Sequence, residues 1–213
     1  MLQRLHRSAI AITLALLTCP GAAISQQAQT AARPKVSPTV ASTLDTQLRL
    51  REKALVTAAE AMPADKYAFV PDGDAFKGSR TFALEVKHLA TLNFAFYSTI
   101  LGQALPAGVS YEGAMNGPEN LQTKDQIVQF LKDSFALGHK AIATITWGNA
   151  LTPLNDPNVQ FLQSYSLNTR LGLANLACAH ATDHYGQMVV YLRMNGITPP
   201  ASVGSPPANP HSR

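Results

Sequence analysis

Cysteine is nearly absent from this chain: Cys19 and Cys178 are the two in 213 residues. Cys19 falls in a leader-like segment, which leaves Cys178 alone, so no internal disulfide is available and stability must come from packing. Charged residues are sparse at 14%, and Lys and Arg never gather into a stripe or run. That excludes a nucleic-acid partner gripped through phosphate contacts. Beyond the first 25 residues no apolar run is long enough for a membrane helix. Convincing strand pairs and repeats of fixed period are missing too.

What is present begins with a leader. Arg4 and Arg7 precede an apolar run from Ala9 to Leu17, and Ala23-Ile24-Ser25 offers small residues at a peptidase spacing. The run is too short to span a bilayer, so residues 1–25 read as a secretory signal and the protein as periplasmic or released. A lipoprotein signal at Cys19 is the competing reading; Thr18 before it and Pro20 after it fit that poorly. Arg4 and Arg7 are two of the 17 basic residues behind a net charge of +4, so the remaining chain is less basic than the total suggests.

Residues 26–41 are rich in Gln, Ala, Thr and Pro and read as a spacer, and residues 201–213 as a similar tail. Between them, residues 42–200 carry four helical patterns. The first runs from Ser42 to Met62 on Leu44, Leu48, Leu50, Leu55, Ala58 and Ala59, with Pro63 closing it. A loop with Tyr67 and Phe69 follows, its aromatics suited to pin it on the helices. The second helix spans about Arg80 to Gln103, and the third about Thr123 to Trp147, opening on Thr123 as a cap. The fourth starts between Val159 and Ser166 and ends near Met194, where Asn195-Gly196 and Pro199-Pro200 stop it. Four long helices with moderate connections predict an all-α four-helix bundle.

The chemistry-bearing segment is His180-Ala-Thr-Asp-His184-Tyr-Gly-Gln187. Histidines at i and i+4 lie one above the other on one helical face, so both rings reach the same point. Leu173, Ala177, Gln187, Tyr191 and Met194 share that face, which aims the imidazoles into the bundle. His88 stands on an interior face between Leu84 and Leu92. The competing reading for each is a core histidine bonded to a backbone carbonyl; together the three make a candidate metal site for His88, His180 and His184.

Other residues carry weaker alternatives. Glu85, three before His88, is either a general base or an acceptor for a ligand N–H, or a solvated carboxylate at the helix edge, which is the preferred reading. Glu85-Val-Lys-His88 fits half of a di-iron Glu-x-x-His pattern, but Ala177 occupies the position where a second Glu would stand. Gln187 could bond a ligand water or ring nitrogen, or serve packing. His139 reads as exposed or simply bonded, and Cys178, turned away from His180, as a small buried apolar residue. Tyr97, Tyr111, Trp147 and Tyr165 are candidates for a substrate mouth, with core packing as the alternative.

From His180 to Pro200 the chain resembles the C-terminal motif of the DinB family: an HxxxH, a close Gly186-Gln187, an apolar run ending in Arg193, then Asn195-Gly196-Ile197 and Pro199-Pro200. Met62-Pro-Ala-Asp-Lys-Tyr67, Arg80-Thr81-Phe82 and His88 resemble the family's first two helices and their loop, more loosely. The resemblance spans residues 42–200. It implies a four-helix bundle whose one His plus HxxxH bind a divalent metal, often zinc or nickel, with manganese or iron as alternatives. Residue by residue it carries His88, His180 and His184 into the ligand role. Tyr185 stands where many members have Arg, which puts in doubt a function needing a cation there.

Three neutral imidazoles leave an ion's charge uncompensated and coordination positions open, the pattern of a catalytic site. Some relatives are hydrolases, or transferases joining a low-molecular-weight thiol to an electrophile. The expectation is therefore a metal-dependent enzyme acting on an unidentified small molecule, with hydrolysis favoured because thiol cofactors are scarce outside the cytoplasm. The alternatives are a non-enzymatic metal-binding protein and a helical, stress-related interaction module. Pairing of two bundles into a homodimer is left open.

Overall fold

The computed structural model describes residues 37–203; the expected leader, most of the spacer and most of the tail lie outside them. Four α-helices dominate: α1 (Val40–Ala61), α2 (Phe82–Leu101), α3 (Lys124–Ala143) and α4 (Arg170–Met194). Each packs on two others, α1 and α2 both against α3 and α4. The cyclic order is thus α1–α3–α2–α4, and the connections from α1 to α2 and from α3 to α4 cross the bundle diagonally. The all-α bundle expected from periodicity is what forms.

Helix α2 explains itself by composition. Its sequence holds only Glu85 and Lys87 as charges, and everything from Glu85 to Ile100 is buried. A helix apolar all round belongs in the interior. Polar ties cross it: Asn93 donates to Ser134 Oγ at 3.2 Å. Around it, Lys132 pairs with Glu60 at 2.6 Å, and Arg51 donates to the Thr182 hydroxyl at 2.7 Å.

Threonines open all four helices. Thr39 with Ser42, and Thr123 with Gln126, form reciprocal capping boxes, while Thr81 and Thr169 each accept one backbone N–H. These satisfy donors that the first turn leaves without partners. The α1–α2 loop is pinned by aromatics as expected: Tyr67 is buried, donates to the Ala59 carbonyl at 2.8 Å and meets Phe82 edge-on at 5.3 Å.

Several boundaries differ from those expected. Helix α3 ends at Ala143, because the Asn149 side chain accepts from Thr146 N and donates to the Thr144 carbonyl, fixing a turn there. Helix α4 starts at Arg170, later than Ser166. A 3₁₀ segment, Pro157–Tyr165, precedes it, and Ser166 adopts a left-handed φ of 57° that no helix continues through. Leu50, counted in the α1 stripe, is 59% exposed. On α4, Gln187 and Met194 are exposed, so the apolar face is narrower than expected. No helix among the described residues is long and apolar enough to cross a membrane.

Candidate metal centre

Because α2 and α4 are neighbours, the i,i+3 pair Glu85 and His88 faces the i,i+4 pair His180 and His184. The rings of His180 and His184 lie 4.2 Å apart between centroids, His88 and His184 5.0 Å, and His88 and His180 5.4 Å. One nitrogen from each ring falls within 4.8 Å of the other two. His88 and His184 are buried and His180 half-buried.

The outer nitrogens set the tautomers. His88 Nδ1–H donates to the Met115 carbonyl at 3.1 Å, and a carbonyl can only accept. His184 Nδ1 makes a short contact with Glu85 Oε1, inside a pair that is almost fully buried. Both rings therefore keep a proton on Nδ1 and, when neutral, offer the Nε2 lone pair to the centre. His180 Nε2 meets His184 Nε2 at 2.8 Å. Two lone pairs hold that separation only with a proton or a cation between them. Burial, then the neighbouring His184, His88 and Arg80, push His180 down to about 3. Burial, Arg80 and His184 also lower His88. The environment thus keeps His88 and His180 neutral, so each ring retains one lone-pair nitrogen that a cation can take. His180 Nδ1 is buried with no hydrogen-bond partner, a polar orphan at the centre's edge.

These residues fit a divalent ion: three imidazole donors from two rigid helices, two with the opposite nitrogen anchored, one by a carboxylate. Glu85 corrects the sequence reading. It is no solvated carboxylate at a helix edge but a 1% exposed acceptor of His184, since α2 is enclosed on every side. His88 satisfies both readings at once, with one nitrogen on a carbonyl and the other toward the cluster.

The remaining candidates disperse. Gln187 is exposed and donates to Asp183, away from the rings. His139 sits between Asp45 at 2.6 Å and Glu52 at 3.0 Å, clamping α3 to α1. Cys178 is buried, as expected. The four aromatics form no common mouth: Tyr97 is enclosed beside Gly138, Tyr111 bonds Thr99, and Trp147 and Tyr165 are exposed by 86% and 72%.

Two contributors escaped the sequence reading. Met115 presents its carbonyl from a left-handed φ of 52°, a conformation no pattern signals for methionine. Arg80 donates Nε to Asn116 Oδ1 at 2.9 Å and Nη2 to the Ala114 carbonyl at 3.2 Å, so it grips both neighbours of Met115. Its place just before the α2 cap was the available signal.

A family model described as the DinB superfamily matches residues 47–188. The chain belongs to the DinB superfamily. The matched span includes Glu85, His88, His180 and His184, so in this DinB-superfamily chain the whole cluster lies within the shared region. No curated protein matches the chain.

Proposed function

We propose that this DinB-superfamily chain is an exported, divalent-metal-dependent enzyme acting on a small molecule, with hydrolysis or thiol transfer as its chemistry. The observation that carries the reading is the convergence of His88, His180 and His184, with His184 backed by buried Glu85. A structural zinc site normally closes four protein ligands, whereas three leave room for a substrate. Imidazole donors suit zinc or nickel.

A bound ion would supply Lewis acidity and activate water or a thiolate near neutral pH. The chain's own groups do the rest. Glu85 holds His184 in one tautomer and offsets part of the positive charge. The Met115 carbonyl orients His88. The half-buried His180 lies on the side of the cluster nearest solvent. Export rests on the N-terminal pattern of residues 1–25.

The test is metal content and affinity of the purified protein beside a His180→Ala/His184→Ala variant. About one ion per chain, lost in the variant while helical content persists, supports the reading. A folded protein that takes up no zinc, nickel or manganese overturns it and leaves a helical interaction module.

A further inference from the structure

Arg80 is a half-buried cation bonded to the loop that orients His88. Its guanidinium reaches Asn116 and the Ala114 carbonyl, the residues on either side of Met115, whose own carbonyl accepts the hydrogen bond from His88 Nδ1–H. Its backbone carbonyl accepts from Tyr191 at 3.0 Å, and Tyr191 lies two turns beyond His184 on α4. Arg80 is therefore tied both to the loop that orients His88 and to the helix that carries the other two ligands.

No carboxylate among the described residues pairs with it: the ion pairs there involve Arg49, Lys77, Lys132, His139 and His184. The two bonds it makes use two of a guanidinium's five N–H donors. The rest find no protein acceptor among the described residues. An unpaired, partly desolvated cation is costly unless an anion meets it. Guanidinium is the group that matches a carboxylate or phosphate through paired N–H bonds.

We propose that Arg80 anchors an anionic group of the substrate, a carboxylate or phosphate lying a few bonds from the atom presented to the histidines. This rests on the metal reading above. Glu85 does not oppose it, because its carboxylate is engaged by His184 on the buried side of the cluster.

The experiment uses the purified protein loaded with cobalt and two thiols of equal length, mercaptopropionate and the neutral mercaptopropanol. Thiol binding is followed by near-ultraviolet sulfur-to-cobalt absorption, which needs no turnover. The expected result is a preference of about tenfold for mercaptopropionate, the size of one charge-assisted hydrogen-bonded contact, abolished in Arg80→Gln. Arg80→Met, of similar reach and without charge, serves if the Gln variant does not fold. Equal affinities in the unmodified protein, or a preference unchanged without Arg80, overturn the anchor alone. A folded protein that takes up no cobalt overturns the metal reading, and the anchor falls with it.

Discussion

Glu85 accepts from His184 in an interior where neither partner has water to fall back on. Removing the charge while keeping the shape separates its two roles. Glu85→Gln is expected to weaken metal affinity about 10- to 100-fold, the usual effect of losing an outer partner of a metal-ligating histidine, with little change in helical content. Competition with a chromophoric chelator measures it; unchanged affinity would mean that Glu85 merely fills space. Glu85→Ala adds a stability loss of about 1–3 kcal/mol, because His184 Nδ1 is left buried without an acceptor. A urea titration of the metal-free protein reads that loss separately. The spacing of Glu85 and His88 was plain in the sequence, yet the burial that decides between solvated acid and working partner was not. Burial of Glu85 depends on what covers α2, which is set by other helices.

Loops at the element scale hold the site as firmly as helices do. The 102–123 connection delivers the Met115 carbonyl, and Gly117 lets it do so: φ is 72°, and a Cβ there would stand 2.8 Å from Thr91 Oγ1. Thr91 is itself tied to the Lys87 carbonyl at 2.7 Å, so it cannot readily move aside. Gly117→Ala should shift the loop, release His88 and lower metal affinity together with stability. A thermal melt and a chelator competition on one sample check both, and a loss of stability with unchanged affinity would separate the loop from the centre. Gly172 plays a different part at the start of α4, where an added Cβ would meet the Leu167 backbone at 2.8 Å. Gly172→Ala is expected to cost about 1–3 kcal/mol, as overpacking does, without touching the centre. Equal stability in a denaturant titration would show that the preceding segment can yield. The start of α3 was legible because the Thr123 cap is local chemistry. The true end of α3 and start of α4 were not, since Asn149 and the left-handed Ser166 act through turns whose geometry no periodicity encodes.

For the whole molecule, two histidine environments pull pH dependence in opposite directions. Burial alone would lower His139, but its bonds to Glu52 and Asp45 and their charges outweigh that and raise it above the ordinary value of 6.5. Its contribution is fully present below pH 6.5 and is lost as pH rises through the raised value. His180, at about 3 when folded, contributes above pH 6.5 and loses that contribution as pH falls toward 3. The difference in Tm between the unmodified protein and His139→Asn should therefore shrink as pH goes from about 6 to about 8.5, at fixed metal. A difference independent of pH would mean that His139 is not charged in the clamp. Chelation at constant pH should lower Tm by an amount that grows with the logarithm of metal affinity, because an ion bound only by the folded state stabilises it.

The sequence by itself determined the helical class, the four patterns, the Thr123 cap and the three histidines, because each is written in local spacing and side-chain chemistry. Tertiary structure decided which histidine nitrogens face inward, that Glu85 is buried behind His184, and that Arg80 and Met115 join the cluster. It also placed Gln187 and the four candidate aromatics away from it. Those outcomes depend on contacts between residues dozens of positions apart. They arise only when α2 is enclosed between α3 and α4 and the 102–123 connection brings Met115 to His88.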